Sequence, residues 1–218
     1  MAKSIILEKK SLYAKYLNYI VYPVVIVFVL FAALYGYISY TNRKAEKLYN
    51  SGLKVLSEAL QKKVPDEAKL DKAKAILQKI VNKYPITKYH KLSLPFLGYI
   101  SFLEGDYDKA ISFYAHFKKK MAKSSVEYTS LTDLAISSCY EEKKDMSKAI
   151  KILKKFSSEQ PESPFREFAL LSLERLYRLS NKPSKAKQVL EEFVKEYPQS
   201  PFFYMAKAHL LSYNNIKK

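Results

Sequence analysis

Three histidines and one cysteine are the first candidates in this sequence for proton transfer, metal binding or nucleophilic attack. His90, His116 and His209 are expected in different structural units, and no Glu or Cys stands at metal-ligand spacing from them. Cys139 lies beside Tyr140, where a small packing residue is a commoner role than a reactive thiol. The sequence therefore predicts that the chain is not an enzyme and has no catalytic, cofactor-binding or metal-binding residues.

The composition favours a helical protein. Among 218 residues there are only four glycines, with nine prolines, so few positions suit hairpin turns, bulges or phosphate-binding loops. An all-β fold and an enzyme with a glycine-rich nucleotide loop are therefore not expected. The single cysteine also excludes an internal disulfide.

The charge is strongly positive, at +17 from 38 Lys and Arg against 21 Asp and Glu. Only four of the cations are arginine, at positions 43, 166, 175 and 178. Because base readout favours arginine and the lysines are spread over the whole chain, nucleic acid is not the expected partner. A lysine-rich surface fits attraction to anionic lipid headgroups better, or a proteome biased towards lysine.

One segment has the length and composition of a membrane-spanning helix. Residues 16–42 contain no charged side chain, the stretch from Pro23 to Leu34 is continuously apolar, and tyrosines gather at both ends. About 20 helical residues cross a hydrocarbon layer of roughly 30 Å, and tyrosine prefers the headgroup level. We therefore predict an N-terminal tail over 1–16, a transmembrane anchor helix over 17–40 and a repeat domain over 41–218.

A buried core helix and a cleaved signal peptide are the alternatives to an anchor. The apolar run is longer than a signal peptide needs, and no Ala-x-Ala cleavage site follows it. Lysine and arginine are balanced on the two sides, so the positive-inside rule does not decide the orientation. A short tail before a long downstream domain favours a cytoplasmic N-terminus.

Beyond the anchor, a short pattern recurs four times. Its alanines, Ala73, Ala110, Ala149 and Ala186, are spaced by 37, 39 and 37 residues. Two residues before each alanine stands Asp or Ser, a residue type able to cap a helix, and a proline follows three of the alanines by twelve residues. The pattern predicts repeated helix hairpins, three of them closed by proline.

A helix pair of this length, with alanine in its second helix, resembles the tetratricopeptide repeat over roughly residues 43–213. Tyr140, Tyr177 and Gly98 match further positions of that repeat. Where the repeat expects a second small residue, seven positions after each alanine, the chain has Ile80, Phe117, Phe156 and Phe193, which predicts a more open or irregular superhelix.

The expected fold is all-α, an α-solenoid of about four hairpins with a capping helix. The expected helices cover residues 17–40, 42–63, 68–83, 87–104, 106–121, 125–142, 146–159, 164–180, 184–196 and 201–213.

The resemblance also implies a concave groove lined by the first helix of each hairpin. Positions 18, 15, 11, 8 and 7 residues before each alanine would face it. The residues at positions eleven and eight are the candidates for binding a protein or peptide partner: Tyr99, Phe102, Ser138, Glu141, Arg175 and Arg178. The alternative for the apolar ones is packing against neighbouring helices only.

The whole layout is similar to the ancillary (YfgM-like) Sec-translocon subunit family of bacterial inner membranes. That resemblance implies a single-pass scaffold with its repeat domain in the periplasm, handling secreted chains with periplasmic chaperones. Two alternatives stay open: a structural adaptor in envelope, outer-membrane or cell-division assembly, and a cytoplasmic binder of lipid or nucleic acid.

Overall fold

A computed structural model describes residues 16–121 and 126–215, and these residues form nine α-helices without a strand. A π-helical segment, Leu17–Val21, leads into the first of them. The helices are α1 (Tyr22–Ala59), α2 (Glu67–Lys83), α3 (Lys88–Leu103), α4 (Tyr107–Met121), α5 (Val126–Glu142), α6 (Met146–Glu159), α7 (Arg166–Leu179), α8 (Pro183–Glu196) and α9 (Phe203–Asn215). The predicted all-α solenoid of hairpins with a final helix is confirmed.

Helix α1 runs without a break through the predicted boundary between residues 40 and 41. The chain has no proline or glycine pair there that would interrupt it, so the helix continues from the apolar segment into the first hairpin. Burial changes instead: the described side chains from Tyr19 to Tyr37 are exposed, whereas Thr41, Ala45 and Leu56 are buried. The division into tail, anchor and repeat domain stays a prediction, and most of the tail lies outside the described residues.

The helix caps lie earlier than the pattern around the alanines predicted. Asp66 and Asp145 accept hydrogen bonds from the backbone N–H groups of Lys69 and Lys148, at 3.1 Å in both cases. Asp71, one of the predicted capping residues, lies inside α2. The second helix of each hairpin begins before the Asp or Ser that stands two residues before the alanine. That side chain therefore lies within the first or second turn of the helix and is exposed to solvent.

The turns within hairpins are closed by residues with left-handed backbone. Gly105 has a φ of 76° and Asn181 a φ of 53°, as their residue types predict. Lys144 takes the same conformation with a φ of 62°, although its side chain does not favour it. Equivalent hairpins thus use one turn geometry with three different residues.

Successive hairpins pack against each other through the residues that depart from the repeat pattern. Ile80, Phe117, Phe156 and Phe193 are all buried, Ile80 and Phe193 completely. They fill the space between neighbouring helices, where the usual small residue would leave a void. The α6–α9 core and the α1–α4 core are each built around such residues.

Candidate partner-binding groove

An apolar cavity of about 460 Å³ opens on the surface formed by the first helices of successive hairpins. Its walls come from α1, α3 and α5, with contributions from α4. The lining residues are Tyr49, Leu92, Pro95, Phe96, Tyr99, Tyr114, Phe117, Tyr128, Leu131, Thr132 and Ala135. Tyr99 and Leu131 are 39% and 44% exposed, so the rim of the cavity presents apolar surface to solvent.

Aromatic contacts hold one wall of the cavity in place. The Tyr49 ring lies 5.3 Å from the ring of Tyr89 and 6.0 Å from that of Phe96, measured between centroids. Burial raises the pKa of Tyr49, and it raises the pKa of Tyr114 further. Both phenols are therefore neutral at physiological pH, and the cavity presents hydroxyl dipoles without a charge.

Helices α3 and α4 approach each other closely beside the cavity, where Tyr114 of α4 is one of the lining residues. A Cβ atom on Gly98 would lie 2.8 Å from the Tyr114 ring, so only glycine permits this approach. The interior proline of α3, Pro95, lines the cavity and has no backbone N–H to donate to the carbonyl one turn earlier.

Further along the solenoid, the first helices are joined by a polar contact. The Arg175 guanidinium on α7 donates to both carboxylate oxygens of Glu141 on α5, with Nη2 2.8 Å from Oε2. Two parallel charge-assisted hydrogen bonds fix the geometry of the pair. The charges of Arg175 and Glu141 are therefore paired with each other, and neither is a separate charged group on the groove surface.

Arg178 is engaged differently. Its Nε atom lies 3.3 Å from Oε1 of the buried Glu174, and the same oxygen accepts a hydrogen bond from the Tyr213 hydroxyl at 2.9 Å. Burial, followed by this hydrogen bond, raises the pKa of Tyr213 to about 12. The cluster attaches α9 to α7 and stabilises the end of the solenoid.

The structure separates the six residues predicted for the groove. Tyr99 lines the apolar cavity, Ser138 is exposed on α5, and Glu141 pairs with Arg175. Arg178 is exposed but bonded to Glu174, as described above. Phe102 is half-buried against the ring of Tyr107, 5.5 Å between centroids, so core packing accounts for it. A partner-binding role for these residues stays a prediction.

Sequence reasoning missed Tyr49 and Tyr128. In the first hairpin, eleven and eight residues before Ala73 are Lys62 and Pro65, which lie beyond the end of α1. The loop between α1 and α2 is longer than in the other hairpins, so a fixed offset from the alanine fails there.

The expectation that the histidines lie in different units is wrong for two of them. His90 on α3 and His116 on α4 belong to one hairpin, and their rings meet edge to face with centroids 5.8 Å apart. His90 Nδ1 lies 3.1 Å from the Val81 carbonyl oxygen. Among the residues described, no three His, Cys, Asp or Glu side chains gather as a metal site.

Cys139 is completely buried in the α4–α5 core, and burial raises the pKa of its thiol to about 11. At neutral pH the thiolate, which is the reactive form, is therefore scarce. This placement agrees with the predicted packing role.

The histidine pair should make the stability of the fold sensitive to mild acid. Partial desolvation of the exposed His116 ring, followed by the nearby His90, Lys120 and Lys119, lowers the pKa of His116 below 6.5. The unfolded chain then takes up a proton at higher pH than the folded chain, so stability is full above pH 6.5 and falls as the pH drops through the folded value. We expect H116Q to lose less unfolding free energy than the wild type between pH 7.5 and 5.5.

Urea unfolding of the full chain in detergent, followed by circular dichroism, measures this difference. H209Q, which removes an exposed histidine on α9, is the matched control and should follow the wild type. Parallel pH profiles for the wild type and H116Q would contradict the expected linkage.

Comparison with known proteins agrees with this geometry. A family model described as tetratricopeptide repeat matches residues 56–85, 133–163 and 171–200. No curated protein matches the chain. The hairpin of α3 and α4, which shapes the apolar cavity, lies outside the matched ranges.

Solved structures share the fold. A kinesin light chain-like protein with nearly identical TPR-like repeats, from Podosopora anserina, aligns with a TM-score of 0.59 at 14% identity, covering 79% of this chain and 86% of that one. A tetratricopeptide repeat protein from Parabacteroides merdae ATCC 43184 aligns with a TM-score of 0.61 at 18% identity, covering 79% and 61%. At these identities the likeness concerns the fold alone. The chain thus has the tetratricopeptide-like solenoid fold, and three stretches of it match the tetratricopeptide repeat model.

Proposed function

We propose that this protein is a membrane-anchored scaffold that binds other polypeptides through its apolar cavity, without bond-making chemistry of its own. The proposed location is the bacterial inner membrane, with the N-terminus in the cytoplasm and the repeat domain in the periplasm. The proposed partners are secreted chains, subunits of the Sec translocon and periplasmic chaperones. The support for this specific setting is the overall layout of the chain.

The observation that carries the binding proposal is the apolar cavity between α1, α3 and α5. Tetratricopeptide repeat domains bind protein partners, and here the first helices present exposed Tyr99 and Leu131 at the rim of a volume large enough for several side chains. An extended or helical segment with two or three apolar residues fits such a surface. Because the Tyr49 and Tyr114 phenols are neutral, a peptide backbone can approach the cavity wall without burying a charged side chain.

The observation behind the anchor is the apolar half of α1. It is the one helix among the described residues that is long and apolar enough to cross a membrane, and its apolar window has no buried residue. Because α1 continues into the first hairpin, it would hold the cavity at a fixed short distance from the bilayer. A high local concentration of emerging chains then makes weak contacts effective.

Site-specific crosslinking in cells tests the binding proposal. A photoreactive side chain at position 99 should capture secreted precursors, chaperones or translocon subunits, and L131K should reduce that capture about tenfold or more because it places an ammonium group in the apolar cavity. Position 151, exposed on the second helix α6, is the matched control and should capture little.

Each alternative result has a defined meaning. Capture of cell-wall or division proteins alone would favour the structural adaptor, and capture of cytoplasmic proteins would contradict the periplasmic orientation. Equal capture at positions 99 and 151, or capture that L131K leaves unchanged, would overturn binding at the cavity.

A further inference from the structure

The turn between α2 and α3 lies beside the end of the apolar segment of α1. A cleft of about 340 Å³ is lined on one side by Tyr35, Ile38, Ser39, Asn42, Arg43 and Glu46 of α1, and on the other by Lys88 and Tyr89 of α3. Tyr35 precedes Tyr40 by about one and a half helical turns, roughly 8 Å along the axis. The start of α3 therefore stands at the level where the apolar segment ends.

This turn presents an exposed aliphatic side chain on a well-ordered backbone. Ile86 is 57% exposed. The next residue, Thr87, is buried, its hydroxyl donates to the Tyr84 carbonyl oxygen at 2.8 Å, and its N–H donates to the same oxygen at 3.1 Å. Ile86 is therefore exposed because a hydrogen-bonded turn directs its side chain outward.

Four exposed cations surround the same turn: Arg43, Lys44, Lys83 and Lys88. Lys44 Nζ lies 4.5 Å from the centre of the Tyr40 ring and Lys88 Nζ lies 5.1 Å from that of Tyr89. Within the described part of the chain none of the four forms an ion pair with a carboxylate. They are available to an anionic surface, which attracts lysine and arginine side chains close to it.

We infer that the α2–α3 turn, with Ile86 at its tip and these four cations around it, rests on the anionic headgroup layer of the bilayer that holds α1. The inference rests on the proposed membrane anchor. A second attachment point beside the anchor prevents α1 from rotating freely about its axis. Tyr49 follows Tyr40 by nine residues, so the apolar cavity is then held about 14 Å from the headgroups in one orientation.

Fluorescence quenching by spin-labelled lipids tests this contact in the full-length protein. Single cysteines at positions 86, 64 and 28 carry the fluorophore, and the buried Cys139 does not compete for the label. Val64 is the matched control because it is also an exposed aliphatic residue in a lysine-flanked loop, at the end of α1 about 28 Å from Tyr40. Phe28 lies in the middle of the apolar segment and reports on the anchor itself.

In vesicles of phosphatidylcholine and phosphatidylglycerol, a headgroup-level quencher should act several-fold more strongly on position 86 than on position 64. The double substitution Lys83→Glu and Lys88→Glu should reduce that difference, and removal of phosphatidylglycerol should have the same effect. Equal quenching at 86 and 64, or no effect of either change, would overturn the inference.

The probe at position 28 separates the two possible failures. If a quencher placed deep in the acyl chains acts on position 28 while position 86 is unaffected, the anchor is supported and only the surface contact fails. If position 28 is not quenched, the anchor fails and this inference fails with it.

Discussion

Replacing Phe193 by alanine is expected to lower the free energy of unfolding by about 3–5 kcal/mol. The tetratricopeptide pattern has a small residue at this position, so the substitution brings the sequence closer to the usual repeat. The structure nevertheless predicts a loss of stability. Phe193 is completely buried in the core shared by α6 to α9, and its ring lies 5.4 Å from that of Tyr197. Alanine would leave a cavity that the fixed helix spacing cannot close.

Urea unfolding of the full chain in detergent, followed by helical circular dichroism, measures the loss. K195A, at an exposed position two residues along the same helix, is the matched control and should change stability by no more than about 0.5 kcal/mol. A loss below about 1 kcal/mol for F193A would mean that neighbouring helices move together to fill the space, and that these solenoid cores adapt to smaller residues.

Replacing Gly98 by leucine is expected to cost more than about 3 kcal/mol, at or above the upper end of ordinary overpacking. Even the first added carbon would stand 2.8 Å from the ring of Tyr114. That ring is itself buried beneath the apolar cavity, so it cannot turn aside without displacing its neighbours. The substitution should force α3 away from α4 and also distort the cavity.

A double-mutant cycle with Y114A tests whether this clash is the cause. On the G98L background, Y114A should cost less than on the wild type, with a coupling larger than about 1 kcal/mol. Additive effects of the two substitutions would show that leucine at position 98 acts through a different contact.

The hairpins could be predicted from the sequence because their signals are local. The spacing of the alanines, the prolines that follow three of them and the turn residues Gly105 and Asn181 act over a few positions each, and they predicted the helices to within a few residues. The apolar stretch before Arg43 is equally local. Local signals do not decide whether the helix ends at that point, because a change from apolar to polar residues can occur within one continuous helix such as α1.

The residues of the groove were predictable only in part, because their exposure depends on helices from distant parts of the chain. Tyr99 and Phe102 lie on the same helix and were assigned to the same face, yet one is exposed at the cavity and the other packs on Tyr107. The difference arises from where α4 and α5 stand relative to α3.

By itself, then, the sequence determined the helical class, the repeat length and the position of the apolar segment, since each follows from interactions between residues close together in the chain. Tertiary structure alone decided that Arg175 would meet Glu141, that His90 would meet His116, and that Tyr49 would join Tyr99 around one cavity. These contacts depend on the distance and rotation between helices, and bulky residues such as Phe193 set both through the volume that they occupy.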